Sequence, residues 1–79
     1  MDDAVCEDCK TLQQAALRAI IRHHYARRQL ALAKLQHDRL RIRVLGAVVE
    51  RLLQVRIAAV RAYQEHLDAH AKAASAGTG

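Results

Sequence analysis

The chain contains no proline, phenylalanine or tryptophan, and Gly46 is its only glycine before the C-terminal tail. Tyr25 and Tyr63 are its only aromatic residues. Without large aromatics, a chain of 79 residues lacks the side-chain volume for a β-sandwich core or a substrate-enclosing cavity. Serine is absent before Ser75, no pair of carboxylates is placed to face a cleft, and no glycine-rich phosphate loop occurs. The parts of a catalytic dyad and of a nucleotide site are therefore missing, and no enzymatic activity is expected. The two cysteines, Cys6 and Cys9, are too few for a secreted disulfide scaffold. The longest uncharged apolar run, Val44 to Val49, is far too short to cross a bilayer. Met1-Asp2-Asp3 is opposite in charge to a signal-peptide start, and acids also argue against a transit peptide. An intracellular location is the expectation.

What the sequence does contain is helix formers: sixteen alanines, ten leucines and ten arginines. The length allows one small domain. Chains below about 70–80 residues rarely stand on a hydrophobic core alone and use a metal, a disulfide or a partner surface as a staple. A staple is expected here.

Charge is unevenly placed. Asp2, Asp3, Glu7 and Asp8 hold half of the eight acids, and from Lys10 onward thirteen bases face only four acids. Ten of those bases are arginine, the side chain suited to bidentate contact with phosphate or carboxylate. An acidic partner surface is one reading, and a solvated helix face is the other.

Met1–Cys9 reads as an acidic lead-in, residues 10–74 as helix, and Ser75–Gly79 as a disordered tail. In the first helix, Leu12, Ala15, Ala19, Ala26, Leu30 and Ala33 make one apolar sector. Leu17, Ile20, Ile21, Ala31, Leu32 and Leu35 make a second. Arg18, Arg22, Gln29 and Gln36 run between them. A hairpin partner covers one sector only, so Leu17, Ile20, Ile21, Leu32 and Leu35 are assigned to an oligomer or partner interface. The second helix presents Val44, Val48, Leu52, Val55, Ala59, Tyr63 and Leu67 as its apolar face. Its opposite edge carries Arg61–Glu65 and Asp68–Lys72 at the supportive i,i+4 spacing.

The turn has two candidate positions, and a chain with no turn is a third possibility. Gln36-His37-Asp38-Arg39 offers Asp38 as the N-cap of the second helix. Gly46 is the other position, and a single unbroken helix would be about 95 Å long. Arg39 to Val44 alternates like a strand but has nothing to pair with. The capping mechanism favours Asp38.

Cys6-Glu7-Asp8-Cys9 and His66-Leu67-Asp68-Ala69-His70 supply two thiolates and two imidazoles, each pair about one helical turn apart. These are suitable donors for tetrahedral zinc. In an antiparallel hairpin turning at Asp38, Cys6 falls opposite His70 and Cys9 falls beside His66. A turn at Gly46 would carry the cysteines past the histidines. One structural zinc on Cys6, Cys9, His66 and His70 would thus close the open end and serve as the staple. Two free thiols and packed histidines are the competing reading. A redox CxxC would need a βαβ context that is absent. His23 and His37 fall on an apolar sector of the first helix, where a packed core histidine is expected.

Leu17-Arg18-Ala19-Ile20-Ile21-Arg22-His23-His24-Tyr25-Ala26-Arg27-Arg28 resembles an IQ motif, the helix gripped by calmodulin or myosin-type light chains. It is similar at the leading aliphatic residue, at Arg22 and at Arg27. It departs at Arg18, where the family has glutamine, and at His23, where the family usually has glycine. The resemblance implies binding of such a light chain. Separately, Arg18, Arg22, Arg27, Arg28, Arg39, Arg41 and Arg43 could neutralise phosphates, although no aromatic platform exists for stacking bases.

The resulting expectation is an all-α fold, an antiparallel two-helix hairpin packed into a helical bundle by oligomerisation or in a larger complex. The expected role is non-enzymatic binding of a protein partner or of the chain's own copies, with nucleic-acid binding as the alternative.

Overall fold

Two helices account for the architecture: α1 (Glu7–Leu35) and α2 (Arg39–Thr78). The computed structural model describes residues 6–78, with side chains through residue 74. The helices lie antiparallel against each other in a body of 60 × 19 × 14 Å. No strand occurs among the described residues, and no helix there is long and apolar enough to cross a membrane. The segment read as an acidic lead-in lies outside the described residues as far as Val5. Its last three residues, Glu7-Asp8-Cys9, already form the first turn of α1. Two acids in that turn complement the partial positive charge of a helix N-terminus, which accounts for the earlier start. At the other end α2 continues to Thr78, through most of the stretch read as tail.

The chain reverses at the capping residue rather than at the glycine. Gln36 closes α1, and His37 takes a left-handed conformation at φ 56°. The His37 N–H donates to the Lys34 carbonyl at 3.2 Å, and the Asp38 N–H donates to the Ala33 carbonyl at 3.0 Å. This paired arrangement is a Schellman motif, which satisfies carbonyls left over at a helix end. The Asp38 carboxylate then accepts from the Arg41 N–H at 3.1 Å, as an N-cap should. His37, expected as a core histidine of α1, is instead an exposed turn residue, because the helix ends at Leu35, two residues before it. Gly46 sits mid-helix, where an added Cβ would meet nothing within 4 Å.

The seam between the helices is built from small residues. On α1 the inward positions Leu12, Ala16, Ala19, His23, Ala26, Leu30 and Ala33 recur in alternating steps of three and four. Five of them, Ala16, Ala19, His23, Ala26 and Ala33, are buried. The matching α2 series is Ile42, Leu45, Val49, Leu52, Arg56, Ala59, Tyr63 and His66, all half-buried. This corrects the face expected for α2. Val44, Val48, Val55 and Leu67 were read as inward and are exposed, whereas Leu52, Ala59 and Tyr63 do lie on the seam. The expected set steps mostly by four and so winds across the helix surface. A seam that follows a neighbouring helix needs an average step near 3.5.

Candidate metal centre

At the open end of the hairpin the start of α1 meets the later turns of α2. Cys6 is the N-cap residue of α1 and Cys9 lies one turn into it, so both sulfurs sit at a helix N-terminus. Cys6 makes no side-chain capping hydrogen bond there, so its sulfur is not committed to the helix backbone. His66 and His70 stand one turn apart on α2 with ring centroids 4.6 Å apart and planes inclined at 76°. Cys6 Sγ lies 3.2 Å from His66 Nε2, and His66 Nε2 lies 3.1 Å from His70 Nε2. The four donor atoms all fall within 4.8 Å of one another. Bonds of about 2.3 Å to sulfur and about 2.0–2.1 Å to nitrogen give a tetrahedron with edges of about 3.3–3.8 Å. The Cys6–His66 and His66–His70 separations fall a few tenths of an ångström short of those edges, whereas the 4.8 Å span of the whole group exceeds them by about 1 Å, so the donors would draw together around an ion. Cys6, Cys9 and His66 are half-buried and His70 is exposed.

The four residues singled out from sequence thus converge on one point. Burial pushes the Cys9 thiol up, and its hydrogen bond to Cys6 and the charges of Cys6 and Asp8 act in the same direction. A metal that displaces these protons would relieve that crowding, because cysteine ligates as thiolate and histidine as neutral imidazole. Two sulfurs and two imidazole nitrogens suit zinc and other thiophilic ions rather than magnesium or calcium. Four protein donors would also fill a tetrahedral shell, leaving no position for a reacting water.

The other sequence-selected residues are spread along the rod. Arg18, Arg22, Arg27 and Arg28 are exposed on α1, and Arg39, Arg41 and Arg43 are exposed on the first turns of α2. Of the residues assigned to an interface, Leu17, Ile21, Leu32 and Leu35 are exposed and Ile20 is half-buried.

One pair was not anticipated. His23, buried in the middle of the seam, has its Nδ1 3.1 Å from an Nη of Arg56. Desolvation lowers the His23 pKa, and the charge of Arg56 adds to this, followed by Arg27 and His24. The ring is therefore held neutral with Nδ1 accepting from the guanidinium. The inward position of His23 was legible, but Arg56 follows from the corrected α2 face alone.

No protein-family model matches this chain, and neither curated proteins nor solved structures match it. The residues themselves define the class: a two-helix hairpin with a Cys2His2 donor cluster at its open end.

Proposed function

We propose that the chain is a non-enzymatic helical assembly module. One structural zinc on Cys6, Cys9, His66 and His70 holds the hairpin shut, and apolar helix faces engage a protein partner or further copies of the chain. The observation that carries this reading is an inversion of the usual burial pattern. The described core contains four alanines and one histidine, while Leu17 is 53% exposed, Ile21 65%, Tyr25 63% and Leu35 77%. Burying an alanine methyl contributes about 0.8 kcal/mol, whereas burying a leucine or isoleucine side chain contributes about 1.5–3 kcal/mol. Most of the available hydrophobic stabilisation thus remains outside the hairpin, and large exposed apolar patches mark interaction sites. The donor cluster supports the zinc, because it brings residues of the first turn of α1 together with residues of α2 at the end farthest from the turn.

The test is the helicity and mass of the zinc-loaded chain across a dilution series. Helicity that falls as mass drops toward the monomer, or that needs a second protein, fits an assembly module. A fully helical monomer whose spectrum ignores concentration would refute it.

Nucleic-acid binding is the second reading, favoured by the seven exposed arginines named above. It predicts binding that weakens steeply with salt and is indifferent to the apolar faces. Light-chain binding through Leu17–Arg28 has a specific obstacle: Ala19, His23 and Ala26 already lie buried against α2, so a light chain would have to part the helices.

A further inference from the structure

Both sides of the seam carry apolar surface from the two helices, but the side holding Ile20, Ile57 and Val60 is interrupted on α2 by Arg56, Arg61 and Gln64, whereas the α2 lining of the other side is wholly apolar. A groove of about 390 Å³ runs between Ile21, Tyr25 and Ala26 of α1 and Leu45, Val48 and Leu52 of α2. A second groove shares Arg22 with it and continues toward the open end, between Ala15 and Ala19 of α1 and Val55 and Ala59 of α2. The charged residues in their linings are Arg18 and Arg22. This face lies beside the seam, at an angle to the outer sector of Leu17 and Leu35.

Two further observations bear on what covers it. The chain exposes 6266 Å², whereas a compact monomer of 8.8 kDa would expose about 4,800 Å². The excess, about 1,500 Å², falls within the roughly 1,000–2,500 Å² that each subunit of an obligate dimer buries. The rod is also electrically polar along its length. Around the turn, residues 28–46 carry five bases, Arg28, Lys34, Arg39, Arg41 and Arg43, against Asp38 alone. At the open end, residues 6–14 and 62–74 carry four acids, Glu7, Asp8, Glu65 and Asp68, against Lys10 and Lys72. A zinc held by two thiolates and two neutral imidazoles leaves that balance unchanged.

We infer that a second copy of this chain covers the groove, packed antiparallel about a two-fold axis to give a four-helix bundle. This rests on the assembly reading above and fixes its partner and orientation. A two-fold axis across the rod sets the basic turn of each copy on the acidic open end of the other, and mates the groove near Tyr25 with the continuation lined by Arg18 and Arg22. Arg18 then meets an aromatic face and the Gln29 amide, while Arg22, common to both grooves, lies near the axis beside its own copy. A parallel pairing would instead align basic end with basic end.

Sedimentation equilibrium on the zinc-loaded full chain tests this. The wild type is expected to be a dimer at micromolar concentration. Val48→Glu in the groove should give monomers, and Ile57→Glu on the other side should leave the dimer intact. Because Val48→Glu could unfold a protein whose folding is coupled to assembly, charge reversal supplies an independent arm. Arg39→Glu with Arg41→Glu and Arg43→Glu should weaken the dimer by about tenfold. Adding Glu65→Lys and Asp68→Lys to the same chain should restore it. A dimer tightened by the turn reversal is parallel, and one dissociated by Leu35→Glu but not by Val48→Glu uses the outer sector. Either result overturns this inference while leaving the assembly reading standing. A monomer that pairs only with an added acidic amphipathic helix also overturns it. A helical monomer at all concentrations removes both.

Discussion

If the Cys2His2 cluster holds the proposed zinc, removing one of its donors should loosen the hairpin from its open end. Cys9→Ser and His70→Ala each delete a donor from a group whose atoms lie within 4.8 Å of one another. The effect should be large because the seam is weak. Its fully buried apolar side chains among the described residues are four alanines, at about 0.8 kcal/mol each, and its larger members, such as Leu12, Leu30 and Leu52, are only half-buried. A metal present at a hundredfold excess over its dissociation constant stabilises the folded form by about 2.7 kcal/mol. For a domain of this length that corresponds to a change in Tm of roughly 10–20 °C. Thermal melts followed by circular dichroism, with zinc and with chelator, measure the change. Wild type with chelator should coincide with each variant, since a tetrahedral site that has lost one donor fails as a unit. Amide exchange locates the effect: protection near Leu12 and Tyr63 should disappear first, while Leu30 and Val49 near the turn keep theirs. Equal metal-dependent Tm values in wild type and both variants would refute the site, and uniform loss of protection would refute the clamp.

Further predictions concern the seam and the turn. His23 is held neutral, its pKa lowered by desolvation and by Arg56, so its contribution to stability is complete above its ordinary pKa of 6.5 and is lost as pH falls below it. Urea titrations over about pH 5–7 should show a steeper acid loss for the wild type than for His23→Gln, and parallel curves would contradict this. His37→Gly relieves a left-handed non-glycine residue and should raise stability by about 1 kcal/mol in denaturant melts. Asp38→Ala removes the bond to the Arg41 N–H and should cost about 1 kcal/mol in the same assay. Ala26→Leu should destabilise by about 1–3 kcal/mol, because the seam has no room for the added carbons.

The features legible in the sequence were those fixed by local chemistry. The turn could be placed because Asp38 has a capping mechanism, and the ligand cluster followed from that turn once the helices were taken as antiparallel. The seam of α2 was less legible, since its valines and leucines surround much of the helix and several stripes compete. Choosing among them depends on the neighbouring helix, whose seam is set by Ala16, Ala19, Ala26 and Ala33. Hydrophobicity alone also misleads here. The largest apolar residues of α1 are not its core, because alanines let the two backbones come close and larger side chains would push them apart. For the same reason Arg56 was unreadable: nothing local marks one arginine among ten as the partner of a buried histidine.

An alanine seam creates a difficulty of its own, and the polar groups within it answer it. Small residues recurring in a regular repeat pack nearly as well after one helix slides by seven residues as before, so apolar burial specifies the register weakly. In this hairpin the turn hydrogen bonds fix the register at one end. The farther a seam position lies from the turn, the less that constraint controls it. His23 is the first strong marker along the seam. A slip of seven would set it opposite Val49 or Tyr63, leaving Arg56 without its acceptor. The cysteines and histidines form the second marker, at the far end, where a slip would pull the sulfurs away from the imidazoles. The His23–Arg56 pair and the Cys2His2 donor cluster thus mark the register, which apolar burial along the seam specifies weakly. This yields a specific expectation: replacing both His23 and Arg56 with leucine should leave the hairpin as stable or more so, but allow more than one register when the metal is removed. Distance measurements between spin labels on the two helices, made with and without chelator, would read out that multiplicity, and a single sharp distance in both conditions would contradict it.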